Sequence, residues 1–379
     1  MKKYFSFIII FILLSINFVP AQKAVLDMQN ELKRFHKPES IEEFSPVFHF
    51  DPVNQDTTNA CWSFATTSFL ESEMKRLGLK PVKLAVMYPF FHVYIEKARE
   101  FIRTEGQSRF APGDLFTGVV EIIKQYGIVP ESAYRGQTRA CKTYNHQQLE
   151  KELDDLMNDV KKLELWDEEF VIQKVRVILY RHLGVPPQTF EYDGITYTPK
   201  SFLKEVVRLP WDDYIMVTSF MYEPFYKFIE LKVPDNWFHY KNYYNVPLDL
   251  FYNSMKSAIK NGYSMAFDSD TGEPGRIGKE DIVIVPEFDI PSKYIDQQAR
   301  EFRFMNGSTT DDHLMHIIGY KRIKGDDWFL VKDSWRTAWD GHFPGYYFFH
   351  GDYFKLKALA FLVHKDGVPD IVKKLPKSE

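Results

Sequence analysis

The chain has 379 residues, 45% hydrophobic and 26% charged, with 33 Phe, 22 Tyr and 7 Trp. That much ring surface excludes a disordered chain. A net charge of −4, from 48 basic and 52 acidic residues, lacks the basic excess of a nucleic-acid binder, and two cysteines, Cys61 and Cys141, exclude both a disulfide scaffold and an all-thiolate zinc site.

Lys2 and Lys3 precede the apolar run Tyr4–Ile16 and the small-residue stretch Val19-Pro20-Ala21. This pattern predicts a signal peptide over residues 1–21, cleaved before Gln22. The run is too short to span a bilayer, and no second run is long enough. The expectation is a soluble protein exported to the periplasm or the exterior of a bacterial cell, with residues 22–379 forming one domain.

Gln22–Asp51 reads as a charged, irregular arm. Thr58–Leu77 reads as a helix, with Asn59 as N-cap, Trp62, Ala65, Phe69 and Met74 on one face, and Gly78 as its stop. Asp114–Tyr126 fits a second helix, with Leu115, Val119, Ile122 and Ile123 at helical spacing before Gly127. His146–Leu183 is charged and periodic and reads as helical and mostly solvent-facing, and Pro186-Pro187 ends it. The middle third, rich in Tyr, Phe, Pro and Asn, reads as turn-punctuated packing segments. The last third holds strand-like runs at His313–Tyr320, Trp328–Val331 and Gly345–Phe349. Helices first and strands last predict an α+β fold.

Chemistry concentrates at three places. Cys61 opens the first predicted helix, where unpaired N–H groups and the helix dipole stabilise a thiolate. Gln55, six residues earlier, could present an amide N–H to an oxyanion. A buried cysteine on an amphipathic helix fits the same pattern. His313 opens an apolar strand after the polar turn Thr309–Asp312, a position suited to a general base. His316 points to the opposite face of that strand and no third ligand sits at metal spacing, so neither a metal nor another cofactor is expected. Asp333, in Val331-Lys332-Asp333-Ser334-Trp335, ends a short strand. It could orient a histidine through a ring N–H, or simply form an Asp-Ser turn.

Together, Gln55, Cys61-Trp62, His313 and Asp333-Ser334-Trp335 resemble the papain-like cysteine peptidases. The closer likeness is to the bleomycin hydrolase and aminopeptidase C branch. Asn54-Gln55, Cys61-Trp62-Ser63-Phe64, Glu223-Pro224-Phe225-Tyr226, Pro234-Asp235-Asn236-Trp237, Tyr243-Tyr244-Asn245-Val246-Pro247-Leu248, Gly262-Tyr263-Ser264 and Thr309–Met315 carry it, in order, over about residues 45–365. Cys61 and His313 lie 252 positions apart, against roughly 130–150 in simple papain-like enzymes. The excess fits the large helical and aromatic insertion of that branch.

The resemblance implies a two-lobed fold, with Cys61 on a helical lobe and His313 on a β-rich lobe. It implies Cys61 as nucleophile, His313 as general base and acid, Asp333 as orienting residue, Gln55 with the Cys61 N–H as oxyanion donors, and Trp335 as a shield. It also implies peptide substrates, a homohexamer, and a C-terminal arm, here Asp370–Glu379, lying in the cleft. Four residues depart from the family pattern: Asn59 and Arg336 replace glycines, Asp333 replaces an asparagine, and Leu314 replaces a small residue. The function implied is a cysteine peptidase working by thiol acyl transfer, as an aminopeptidase. The alternative is a catalytically impaired peptide-binding protein on the same scaffold. Cys141 reads as a bystander.

Overall fold

Every position of α1 (Cys61–Arg76) from Trp62 to Met74 is buried, because the helix lies between other helices and a sheet. Sequence spacing predicted a single apolar face. A helix packed on all sides instead needs small polar residues that satisfy themselves. Ser63 donates to Val86 O at 2.5 Å, and Thr67 to Ser63 O at 2.7 Å. The buried Glu71 carboxylate accepts from the Leu84 N–H at 2.8 Å.

A computed structural model describes residues 27–137, 143–272 and 274–376. The expected signal peptide, Cys141 and the last three residues lie outside these. Four helices follow α1: α2 (Met87–Arg103), α3 (Phe116–Tyr126), α4 (Gln147–Lys162) and α5 (Glu168–Leu183). The stretch expected to be helical at His146–Leu183 is this pair, α4 and α5. Leu149, Leu153, Met157 and Val160 of α4 are buried, as are Val171, Val175 and Leu179 of α5. Proline hid α2 from sequence reading. Pro89 sits in its first turn, where the missing N–H has no partner in any case.

A hairpin, β1 (Phe190–Tyr192) and β2 (Ile195–Tyr197), precedes the main sheet. That sheet comprises β3 (Tyr214–Thr218), β4 (Lys227–Ile229), β5 (Tyr243–Asn245), β6 (Met265–Ser269), β7 (Arg276–Ile277), β8 (Ile282–Val283), β9 (His313–Ile323), β10 (Asp326–Lys332), β11 (Tyr346–His350) and β12 (Ala358–His364). Their spatial order is β4-β5-β3-β12-β6-β9-β10-β11-β8-β7. The middle third, expected as packing segments, thus supplies strands, several only two or three residues long. α6 (Leu248–Lys260) follows β5, α7 (Gln297–Met305) precedes β9, and α8 (Gly351–Lys357) lies between β11 and β12.

The sheet divides two cores. Ala266 and Leu314 join α1–α5 in one, whereas Phe267, Met315 and Ile317 join α6 in the other. Ile371 belongs to the second core, with Val372 and Leu375 packed against it, and the Tyr244 hydroxyl donates to Lys374 O. The tail through Leu375 therefore packs on the sheet face opposite the core that Cys61 borders. Between α1 and the sheet, Lys332 Nζ donates to Ser68 Oγ at 2.9 Å, and that hydroxyl meets His316 Nδ1 at 2.9 Å. Among the described residues no helix is long and apolar enough to cross a membrane.

Gly345 has φ +84°, and a Cβ there would lie 2.2 Å from Pro52 Cβ. Gly345→Ala should cost about 2 kcal/mol or more, from left-handed strain and the displaced Pro52 segment. Its melting temperature should fall by several degrees; an unchanged melting curve would remove this contact from the account.

Candidate active site

Cys61 is the first residue of α1, and Ala60 is the N-cap. Asn59 was expected to cap the helix with its side chain. Instead its amide donates to the Glu150 carboxylate at 3.0 and 3.1 Å, and no side chain caps α1. A carboxylate on α4 outcompetes the local cap, and the helix start is left to other partners. Ser63 and Phe64 N–H groups both donate to Ala60 O, so the amides of Cys61 and Trp62 are the ones turned to the open end. Trp62 is fully buried, stacks on Phe90 and donates from Nε1 to Asn59 O at 2.8 Å and Pro112 O at 3.1 Å. The indole thus fixes the loops on both sides of Cys61, whose thiol is free.

His313 opens β9 and is buried. Its Nε2 lies 2.6 Å from Asp333 Oδ1, which leaves Nδ1 for the Cys61 sulfur. Burial disfavours the imidazolium, but attraction to Asp333 and to Cys61, with a hydrogen bond to each, outweighs it and raises the pKa to about 9. The Trp335 ring meets the His313 ring edge-on at 5.9 Å. At 37% exposed, it covers this contact only in part.

Asp333 immediately follows β10 and its side chain is fully buried. Oδ1 also accepts from the Trp335 N–H at 2.8 Å, and Oδ2 accepts from Arg276 Nη2 at 2.7 Å. Burial raises the carboxyl, yet His313 and Arg276 together hold it below its ordinary value. Arg276 is the partner that sequence reasoning missed. It lies on β7, 57 positions from Asp333, is 10% exposed and stacks over Tyr347 at 5.0 Å. No local motif marks it; the Asn-to-Asp departure at 333 was the one available clue that a nearby cation was needed.

Gln55 is fully buried. Its N–H donates to Ser334 O at 2.8 Å, and its Oε1 accepts from Ser334 Oγ at 2.6 Å. Its Nε2 donates to Thr58 O at 2.8 Å, which uses one of two N–H groups. The structure therefore gathers Cys61, His313 and Asp333 into one cluster and clamps Gln55 to the loop that carries Asp333. His316 stays apart, in the seam with Ser68, and burial keeps it neutral.

A profile of the peptidase C1-like family matches residues 107–379, a span that contains His313 and Asp333 but not Cys61. Aminopeptidase C of Listeria innocua serovar 6a is 26% identical over 290 residues, 65% of this chain and 66% of that protein. The chain thus spans just under two thirds of that relative's length. Aminopeptidase G of Lactobacillus delbrueckii subsp. lactis is 24% identical over 369 residues, 85% of this chain and 83% of that protein. Among solved structures, PepW from Lactobacillus rhamnosis HN001 superposes with a TM-score of 0.65 at 20% identity, covering 93% of this chain and 86% of that one. The shared fold is the papain-like α+β one.

Removing one partner of a buried pair strands the other charge. Asp333→Asn alone should cost about 3–5 kcal/mol, and Arg276→Gln should restore part of that in the double variant. The His313 titration, followed by NMR, should fall from about 9 toward the ordinary 6.5 in the double variant. A raised histidine pKa stabilises the fold fully below its unfolded value, and that contribution disappears as pH rises through about 9. Wild-type stability should therefore decline between those values, and the double variant should decline less. A His313 titration that does not move would dismiss the Asp333 contact as its cause.

Proposed function

This chain belongs to the peptidase C1-like family, and from that premise we propose that it is a cysteine-type aminopeptidase that hydrolyses peptide bonds by thiol acyl transfer. The observation that carries the reading is the meeting of Cys61, His313 and Asp333 at the start of α1 and the ends of β9 and β10. In this reading the Cys61 thiolate, paired with the His313 imidazolium, attacks the scissile carbonyl. The oxyanion forms beside the Cys61 N–H and the free N–H of Gln55 Nε2. His313 then donates its proton to the leaving amine, and a water activated by His313 hydrolyses the thioester. Asp333 keeps the imidazole oriented and favours its charged form, and Arg276 keeps Asp333 ionised.

Aminopeptidase action is supported by the relatives' names, and the thiol mechanism by the site. Nothing favours a scaffold without turnover, since nucleophile, base and orienting residue sit together. Assembly into a homohexamer belongs to the same proposal and rests on the resemblance. Export rests on the charged start and apolar run of residues 1–21. Mass analysis of protein collected outside the cytoplasm should find Gln22 as the first residue, and an intact Met1 there would end that proposal.

Cys61→Ala should abolish peptide cleavage while leaving the melting temperature nearly unchanged; cleavage that survives would remove Cys61 as nucleophile. Gln55→Ala should lower kcat by about 10²–10³ as an oxyanion donor is lost. It should also lower the melting temperature, because Ser334 loses its partner. A stability loss with intact kcat would make Gln55 a structural clamp alone.

A further inference from the structure

The terminal arm that the resemblance would send into the cleft packs, through Leu375, into the core on the other sheet face. An aminopeptidase needs an anion to receive the substrate's amine. Asp268 lies on β6, paired in register with Leu314, one position from the pair of Ser269 with His313. It alternates with Phe267 and so shares the sheet face of Ala266 and α1. It is fully buried, and neither carboxylate oxygen has a partner. Its charge faces Asp311, Asp235, Cys61 and Asp312.

Further contacts tie this cluster to the loop that Trp62 holds. Asp311 Oδ2 accepts from the Asp235 N–H at 3.0 Å. Asp235 packs on the Gly113 backbone, since a Cβ on Gly113 would lie 1.9 Å from Asp235 Oδ2. Gly113 follows Pro112, whose carbonyl Trp62 holds. The group is therefore bounded by the helical lobe at Gly113 and by the β-rich lobe at Asp311. Cations meet only part of it. Arg109 pairs with Asp235 at 3.2 Å, and Lys97 is held by the carbonyls of Ala111 and Gly113. Asp312 is occupied by Thr310 Oγ1 and the Gly272 N–H. Arg109 also attracts the half-buried Asp311, whereas neither oxygen of Asp268 has a partner.

We propose that Asp311 and Asp268 form a receptor for the free α-ammonium of a peptide substrate, with Asp311 as its direct partner and Asp268 as the charged floor. The proposal rests on the aminopeptidase reading above and deepens it. An ammonium held here would lie next to the Cys61 sulfur, so the first peptide bond of the substrate would be the one presented. While the site is empty, burial without a partner keeps Asp268 protonated. Arrival of a cation stabilises its carboxylate, and the proton leaves to solvent.

Calorimetry on the Cys61→Ala protein tests binding apart from turnover. Three probes serve: a free tripeptide amide, its Nα-acetylated twin, and an Nα-acetylated peptide carrying lysine just before the scissile residue. The free peptide should bind about 10–100-fold more tightly than its acetylated twin, as a charged hydrogen bond implies. Asp311→Asn should erase most of that ratio and Asp268→Asn part of it, without weakening the acetylated twin. Both variants should keep the wild-type melting temperature, since Asp268→Asn removes an unpaired buried carboxyl and Asp311→Asn keeps an acceptor for the Asp235 N–H. Equal binding of the free and acetylated twins, or equal weakening of both by either variant, would overturn the receptor. Tight binding of the acetylated lysine peptide would overturn the α-amine assignment. Wild-type protein that prefers free peptides but cleaves none would keep the receptor and end the peptidase reading. Cleavage of both twins alike would do the reverse.

Discussion

A carboxylate buried at the end of β10 sets the terms for everything around it. Asp333 has no water to solvate it, so the fold must surround it with donors and positive charge. It does so from three directions: the His313 ring, the Trp335 amide and the Arg276 guanidinium. A neutral amide at the same place would require no arginine on β7 and would leave the imidazole less inclined to carry a proton. The Asn-to-Asp exchange and Arg276 are therefore best understood as one feature, with the charge of His313 as its outcome.

Holding that arrangement against Cys61 falls to loops, and each loop is tied to a second segment. Gln55 is bound twice to Ser334, Pro52 lies against Gly345, and Trp62 gathers Asn59 and Pro112. Asp333 itself donates its N–H to Gly345 O at 2.9 Å, so Asp333 and the glycine beside Pro52 are held as a unit. Side chains brought together from separate elements need supporting contacts of this kind to hold their geometry.

The clustering of Cys61, His313 and Asp333 was readable because each sits at a local landmark: a thiol at a helix start, a histidine opening a strand, an aspartate closing one. Arg276 and Asp268 carry no such landmark. Their significance arises from β7 and β6 meeting segments about 40–60 positions away, and pairing over that range leaves no local periodicity. Asn59 shows the opposite error, a residue with a good local role drawn off by Glu150 on α4. The fold class was legible from the order of helices and strands. The complete burial of α1 was not, because its serines and threonines resemble a solvent face until the sheet is laid over them. Nor were the short strands of the middle third, whose prolines and asparagines punctuate them too closely for alternation to show.

The seam of Lys332, Ser68 and His316 has a consequence of its own. Burial lowers Lys332 to about 8 and keeps His316 neutral, so these groups contribute little net attraction. What they supply is a key and its notch. The single hydroxyl of Ser68 can meet both partners only when α1 lies at one height and one rotation on the sheet. Sliding the helix by a turn would leave an amine and an imidazole dry and unanswered, whereas an oily contact would forgive the slip. The position of the thiol at the tip of α1 is thus indexed from the middle of the helix, two turns below the chemistry.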